Sequence, residues 1–223
     1  MRAYVKFSPD SAPELKEIEA PTPGPGEIRI RVAACGLNFA DLLMIKGTYQ
    51  DPPDCPFVLG MEVAGVVDSL GEGVENFAPG DRVAVFGGQG GLAEMACFDA
   101  TRAVRLPDTM DFTTAAAFQI AYGTSHLALD HRARLQPGET LLVLGAAGGV
   151  GSAAIELGKA AGARVIAAVS SEEKAEVCRE LGADATIVYD RDLDKDGQKA
   201  FSKQIKDAAG DTEVVVVSIG PDR

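Results

Sequence analysis

The sequence is poor in basic side chains and contains no long apolar run. Lysine and arginine together number 21 against 33 acidic residues, so the net charge is -12. Nucleic acids and anionic membrane surfaces are bound by positive patches, and an acidic chain therefore argues against both as partners. The apolar stretches are too short for a membrane-spanning helix or a signal peptide. We expect a cytoplasmic protein.

Cysteines are also few, and their spacing is irregular, with no Cys-x-x-Cys pair. This pattern favours reduced, mostly buried thiols of a cytosolic protein over disulfides. The composition, 46% hydrophobic and 24% charged, is ordinary for a globular protein, and 223 residues suit one large domain or two modest ones. The cysteines are Cys35, Cys55, Cys97 and Cys178.

The first half of the chain is rich in short strands and turns. Residues 27–33 alternate, with apolar side chains such as Ile28 and Ile30 on one face and arginines on the other, which predicts a half-buried strand. Residues 63–67 form a further short apolar run, and residues 82–86 are predicted to form a strand after two turn signals. Short, evenly spaced strands of this kind indicate a small barrel-like β domain.

The second half alternates strands with helices, which implies a parallel sheet with right-handed crossovers. Ser170 and Glu173 fit a capping box at the start of the second helix, and Gly182 fits the stop at its end. A doubly wound dinucleotide domain has about six strands, and only four are countable here, so the second half of the sheet looks incomplete. The predicted strands are 141–144, 164–169, 185–189 and 213–219, and the predicted helices are 150–161, 172–181 and 194–209.

A glycine-rich turn joins the first of these strands to the first helix. Glycines allow a tight turn and a close approach to phosphates, and the helix N-terminus offers free N–H groups and a partial positive charge. A strict G-x-G-x-x-G would place glycine where the chain has Ala146. The alternative is that the glycines of this turn serve only the close packing of the helix. The turn predicts a dinucleotide pyrophosphate site formed by Ala147, Gly148, Gly149, Val150 and Gly151.

The next strand ends without the acidic residue that would bind the ribose 2′-hydroxyl of NAD(H). It ends instead at Ser170 and Ser171, with Lys174 one turn further on. Hydroxyls and a lysine suit a 2′-phosphate, although the charges of Glu172 and Glu173 would oppose one. A solvated surface lysine is the alternative for Lys174. The pattern favours NADP(H) as the cofactor.

Motifs along nearly the whole chain resemble the medium-chain dehydrogenase/reductases, specifically the zinc-free quinone oxidoreductase branch. The resemblance implies a GroES-like β domain over residues 1–120 and a Rossmann domain over 121–223 that lacks its C-terminal half. It places the active site between them and implies a homodimer if the chain is complete. Besides 145–151, the motifs are GPGE at 24–27, CGLNFAD at 35–41, GMEVAG at 60–65, GDRV at 80–83, YGT at 122–124 and LGAD at 181–184.

The same resemblance implies that no zinc is bound. Asn38 and Met61 occupy the positions at which alcohol-oxidising relatives have zinc-binding cysteine and histidine, and neither can replace those ligands. We interpret His126 and His131 as structural or exposed. Without a Lewis acid, an already electrophilic quinone or α,β-unsaturated carbonyl is the expected hydride acceptor.

Three residues of the β domain match positions at the family's substrate site. Asn38 would donate a hydrogen bond to the developing oxyanion, with a turn-forming role as the alternative. Tyr49 would donate a hydrogen bond or a proton, and its alternative is an amphipathic surface tyrosine. Asp41 would position the Asn38 loop, or would merely cap a helix.

The remaining matches concern the cofactor. Thr124, expected at the start of the helix that links the domains, matches a residue near the nicotinamide ribose. Ser170 and Lys174 match the 2′-phosphate site. Tyr189 matches a tyrosine beside the adenosine phosphate, and packing at a strand end is its alternative.

The leading hypothesis is an NADPH-dependent reductase of quinones or related enones. An enoyl-thioester reductase is the nearest enzymatic rival. A non-catalytic nucleotide-binding protein is a rival of another class, since some lens and vesicle relatives have this character. If the natural chain ends at Arg223, we expect weak cofactor affinity and poor activity.

Overall fold

The computed structural model describes residues 1–190, 192–210 and 212–218. The chain divides into two compact units, Met1–Ile120 and Ala121–Arg223. Residue 219, the predicted end of the last strand, and residues 220–223 lie outside the described residues. Within the described part, no helix combines the length and apolar character needed to cross a bilayer.

The first unit is built from two antiparallel sheets. Its elements are Arg2–Lys6 (β1), Glu14–Glu17 (β2), Glu27–Gly36 (β3), Phe39–Lys46 (α1), Phe57–Val58 (β4), Glu62–Leu70 (β5), Arg82–Phe86 (β6), Met95–Asp99 (β7), Ala103–Arg105 (β8) and Phe112–Ala116 (α2), with a 3₁₀ turn at Ala100–Arg102. One sheet has five strands in the order β7-β3-β5-β6-β8, and the other has three in the order β2-β1-β4. The helix Gln119–His126 (α3) begins in this unit and continues into the second.

The alternation predicted for residues 27–33 is present in β3. Ile28 and Ile30 are fully buried in the core of the five-stranded sheet, whereas Arg31 is exposed. The strand continues to Gly36, three residues beyond the predicted end, because it pairs with β5 as far as Glu62. This extension brings Cys35 and Gly36 next to Glu62.

The second unit consists of a π-helical turn at Leu127–Ala133, Thr140–Leu144 (β9), Gly149–Ala160 (α4), Arg164–Val169 (β10), Glu172–Glu180 (α5), Ala185–Val188 (β11), Lys195–Ala209 (α6) and Val214–Ser218 (β12). Its strands form a parallel sheet in the order β11-β10-β9-β12. The fold predicted from the sequence, an α/β chain with a GroES-like part and a Rossmann-type parallel sheet, is confirmed.

Both faces of the parallel sheet are covered. In β9, Leu141 and Val143 face a core that includes Ile155 of α4 and Cys178 of α5. Leu142, between them, faces the opposite core, to which α6 contributes. Burial on both faces explains why β9 is a continuous apolar run instead of an alternating one.

Two local expectations, the capping serine of α5 and the burial of the cysteines, need correction. The N-cap of α5 is Ser171, not Ser170, because the Ser171 hydroxyl accepts the backbone N–H of Lys174. The predicted stop at Gly182 is confirmed, since this glycine has φ of 99° just after the helix. All four cysteines are free thiols, but only Cys178 is fully buried, and Cys35, Cys55 and Cys97 are half-buried.

Candidate functional site

The strand order of the parallel sheet marks where a ligand can bind. From β9 the chain passes to β10 and β11 on one side, and then returns to β12 on the other side of β9. In open α/β sheets, ligands bind beyond the carboxyl ends of the strands where the strand order reverses in this way. The turn that leaves the carboxyl end of β9 begins at Gly145.

This turn presents a helix N-terminus. Gly145 has φ of 68°, a left-handed conformation that favours glycine, and its carbonyl accepts the N–H of Gly148 at 3.1 Å. Gly148 is the N-cap of α4 and has no side chain to accept the first N–H groups of the helix. Gly148 and Gly149 are exposed. The free N–H groups form a site suited to an anion.

The third glycine of the motif serves close packing. A Cβ atom on Gly151 would lie 2.6 Å from the Gly145 carbonyl oxygen and 2.7 Å from that of Ala146. Ala146 itself is fully buried, with its methyl group in the sheet core. Alanine is therefore accommodated where the strict motif has glycine. Ala147 packs partly against the same core, and the carbonyl of Val150 accepts the Ser125 hydroxyl at 2.8 Å.

The predicted 2′-phosphate residues lie together at the end of β10. The Lys174 amine donates to the Ser170 hydroxyl at 3.3 Å, and the Lys174 backbone N–H donates to the Ser171 hydroxyl at 3.4 Å. Glu172 forms an ion pair with Arg179, which offsets its negative charge. Lys174 itself is exposed.

Two further predicted cofactor residues have other surroundings. The Tyr189 ring packs on the Phe201 ring, with centroids 4.6 Å apart, which is the packing role proposed as the alternative. Thr124 is exposed and lies in the second half of α3. The expectation that Thr124 starts the linking helix is therefore wrong, because the helix begins five residues earlier. Any contact of Thr124 or Tyr189 with a cofactor stays a prediction.

In the first unit, Asn38 is held by a glutamate that the sequence did not single out. The Asn38 side-chain amide donates to Glu62 Oε1 at 2.9 Å, and the backbone N–H of Ile120 donates to Glu62 Oε2 at 2.9 Å. Glu62 is 3% exposed. The available signal was an acidic residue directly before the apolar run 63–67. An amide nitrogen carries two hydrogens, so Asn38 keeps one for a ligand.

Asp41 fixes the backbone around Asn38. One carboxylate oxygen accepts the Asn38 N–H at 2.9 Å, and the other accepts the Gly60 N–H at 3.1 Å. The carboxylate thereby ties the start of α1 to the segment just before β5. Both roles considered for Asp41, positioning the loop and closing the first helical turn, are visible in these contacts.

Cys35 lies beside this pair of carboxylates. Burial, together with the negative charges of Asp41 and Glu62, raises the pKa of the Cys35 thiol to about 12. The thiol is therefore protonated at neutral pH. A protonated thiol is a poor nucleophile and a poor metal ligand.

Tyr49 follows α1 and is half-buried against an apolar cluster. The cluster includes Met44, Phe57, Leu59 and Met61. Met61 is 5% exposed. The structure thus places Tyr49 against the cluster that contains Met61, and α1 connects Tyr49 to Asn38 and Asp41. A catalytic role for these residues stays a prediction.

Two family models match the chain. Residues 24–108 match the alcohol dehydrogenase GroES-like domain, and residues 149–223 match the zinc-binding dehydrogenase model. The crystal structure of the quinone oxidoreductase from Thermus thermophilus, also determined with NADPH, is 35% identical with a TM-score of 0.83, and the match covers 100% of this chain and 68% of that one. The chain belongs to the quinone oxidoreductase branch of the medium-chain dehydrogenase/reductases.

Other members of this branch are similar over the same span. The Escherichia coli quinone oxidoreductase complexed with NADPH is 31% identical with a TM-score of 0.85, over 100% of this chain and 66% of that one. The quinone oxidoreductase-like protein 2 homolog of Nematostella vectensis is 42% identical over 89% of this chain and 53% of its own length. The chain spans about half the length of that curated relative.

Proposed function

We propose that this protein binds NADP(H) and transfers hydride to a quinone or another α,β-unsaturated carbonyl without zinc. The observation that carries the proposal is the glycine turn at the strand-order reversal, with Ser170 and Lys174 at the end of the next strand. Solved quinone oxidoreductases with NADPH support the choice of cofactor. The proposal concerns a chain that spans only part of its relatives.

The residues present fit a dinucleotide. The N-terminus of α4 offers N–H groups at Gly149 and beyond. A Cβ placed on Gly149 would meet no atom of the described residues within 4 Å, which leaves room for a pyrophosphate. The Lys174 amine and the Ser170 hydroxyl supply a positive charge and a hydrogen-bond donor for the 2′-phosphate. A reduced nicotinamide supplies the hydride when it is bound.

The residues at the family's zinc position do not fit that metal. The Asn38 amide is engaged with Glu62, and both Glu62 oxygens accept hydrogen bonds. Met61 is a buried thioether. Zinc is held in proteins by thiolate, imidazole or carboxylate groups, and neither the Asn38 amide nor the Met61 thioether is one of these. We therefore propose zinc-independent chemistry.

Asn38 would then stabilise the carbonyl oxygen that gains negative charge. Glu62 uses one amide hydrogen and fixes the plane of the amide, so the second hydrogen is preorganised for an oxyanion. The Tyr49 hydroxyl would supply a second donor or a proton. Asp41 would act through Asn38 by holding its backbone.

The test is NADPH oxidation by the 223-residue chain with a small quinone and, separately, with crotonyl-coenzyme A. We expect turnover with the quinone, slower than that of a full-length reductase, that persists after dialysis against a chelator. Turnover with the thioester alone would establish the enoyl-thioester reductase instead. Binding of NADPH without turnover of either substrate would favour a non-catalytic nucleotide-binding protein. A cytoplasmic location and a homodimer are predictions that cell fractionation and light scattering would check.

A further inference from the structure

Both histidines of the chain lie together on the surface of the second unit. His126 is the last residue of α3, and His131 lies in the π-helical turn that follows. The imidazole centroids are 5.7 Å apart. Asp130 Oδ2 is 3.9 Å from His126 Nε2 and 3.8 Å from His131 Nε2. Side chains of all three residues are more than 60% exposed.

The π-helical turn is what brings the three side chains together. Residues five apart on an α-helix point about 140° away from each other, because each residue turns the helix by about 100°. Hydrogen bonding from i to i+5 widens the turn and moves His131 toward the face that carries His126 and Asp130. Leu129 is 4% exposed and packs in the sheet core, so the turn is anchored beneath this cluster.

We propose that His126, Asp130 and His131 form a surface site for a late first-row divalent metal ion, such as Cu²⁺, Ni²⁺ or Zn²⁺. One ligand atom from each residue lies within 4.8 Å of the others. Metal–ligand bonds of about 2.0–2.2 Å need neighbouring donors somewhat closer together, which small side-chain rotations supply. Two imidazoles and one carboxylate suit these ions, and water completes the coordination shell.

The site is separate in its chemistry from the proposed hydride transfer. None of its residues belongs to the glycine turn, to the Ser170–Lys174 pair or to the Asn38 network. The net charge of -12 favours cation binding in general. The histidine pair adds a preference for imidazole-binding ions over Mg²⁺ or Ca²⁺, which prefer oxygen ligands.

The test is isothermal titration of the whole chain with ZnCl₂ and, separately, with NiCl₂ and MgCl₂. We expect one Zn²⁺ and one Ni²⁺ per chain and no binding of Mg²⁺. In the His126→Asn/His131→Asn variant, the affinity for both transition ions should fall by at least about 10-fold. Asp130→Asn should weaken binding in the same direction. Because all three side chains are exposed, circular dichroism should show unchanged folding.

Free thiols are the competing ligands, so Cys55→Ser/Cys97→Ser is the matched control. Full Zn²⁺ affinity in this control, combined with loss in the histidine variant, supports the site. A histidine variant that binds Zn²⁺ as tightly as the parent chain would overturn it, as would a parent chain that binds neither ion. Addition of Zn²⁺ should also raise the thermal unfolding midpoint of the parent chain but not that of the histidine variant.

Discussion

The two units prepare their candidate sites by different physical means. In the β unit, buried carboxylates of Asp41 and Glu62 hold backbone and side-chain donors in place. In the parallel-sheet unit, the glycine turn is shaped by backbone contacts, with Gly151 packed against carbonyl oxygens. The charges of the second site, such as Lys174, are exposed.

This difference implies different sensitivities. A buried carboxylate that satisfies two N–H groups leaves both unpaired when it is removed, and the cost falls on folding as well as function. An exposed lysine contributes little to folding, and its effect should fall on ligand affinity. In the β unit, the same hydrogen bonds therefore support both the candidate site and the stability of the fold. In the parallel-sheet unit, backbone packing should control stability, and exposed charge should control the affinity for the ligand.

The largest effect is expected for Asp41→Ala. The N–H groups of Asn38 and Gly60 would lose their acceptor, and the free energy of unfolding should fall by about 2–4 kcal/mol. Urea unfolding measures the change. Asp207→Ala is the matched control, since Asp207 forms an exposed ion pair with Lys203 and its loss should change stability little. Equal effects of the two substitutions would contradict the role given to Asp41.

The next largest effect is expected from a pair of substitutions in α4, Gly151→Ala and Gly149→Ala. The new methyl group at 151 would meet backbone oxygens at 2.6 and 2.7 Å, so stability should fall by about 1–3 kcal/mol. At 149 it would meet no atom within 4 Å in the part of the chain that the structure describes. The better helix propensity of alanine should therefore leave stability unchanged or raised by up to about 1 kcal/mol. Thermal unfolding measures the stability of both variants. A loss of stability in Gly149→Ala but not in Gly151→Ala would refute the packing argument.

Lys174→Ala should act on binding and not on folding. Loss of one charge-assisted hydrogen bond should weaken NADPH binding by about 10-fold and leave NADH binding unchanged. Fluorescence titration with both nucleotides measures this. Lys199→Ala, on the exposed side of α6, is the control for a general loss of positive charge. A preference of the parent chain for NADH would exclude the 2′-phosphate role of Lys174.

The smallest effect is a pH dependence at Asp184. Burial by itself would raise the pKa of this carboxyl, but hydrogen bonds from Lys159 and from the Val165 N–H, with the charge of Lys159, lower it below its usual value. A lowered pKa in the folded state means that the stabilisation is present above the unfolded value of about 3.9 and is lost as pH falls through the folded pKa.

The stability difference between the parent chain and Asp184→Asn should therefore be full at pH 7 and should shrink below about pH 4. Urea unfolding of both proteins at pH 7 and at a pH below about 4 measures this stability difference. A difference that stays constant into the acid range would show that Asp184 acts through packing instead of through its charge.

The second unit was largely predictable because its elements follow local rules. Strand 164–169 was predicted at its observed bounds, and the first and second helices differ from prediction by no more than one residue at either end. A buried strand, a glycine turn and an amphipathic helix are each encoded by neighbouring residues. The capping serine was misplaced by one position because Ser170 and Ser171 both offer a hydroxyl.

The contacts made by the predicted residues were less accessible to sequence reasoning. Glu62 lies 24 positions from Asn38 in the chain, and only the pairing of β3 with β5 brings the carboxylate to the amide. Tyr189 was assigned to the cofactor by resemblance, yet the structure shows its ring against Phe201 of α6. Such contacts depend on which elements pack together, which periodicity does not specify.

The sequence by itself determined the fold class, the family resemblance and the glycine turn, because hydrophobic period, turn chemistry and motif spacing are local properties. Tertiary structure decided how the site is held. It placed the Glu62 carboxylate on Asn38, removed space for a Cβ at Gly151 and brought the two histidines to one carboxylate through a π-helical turn. Each of these depends on the packing or hydrogen bonding of the folded chain, which motif spacing does not encode.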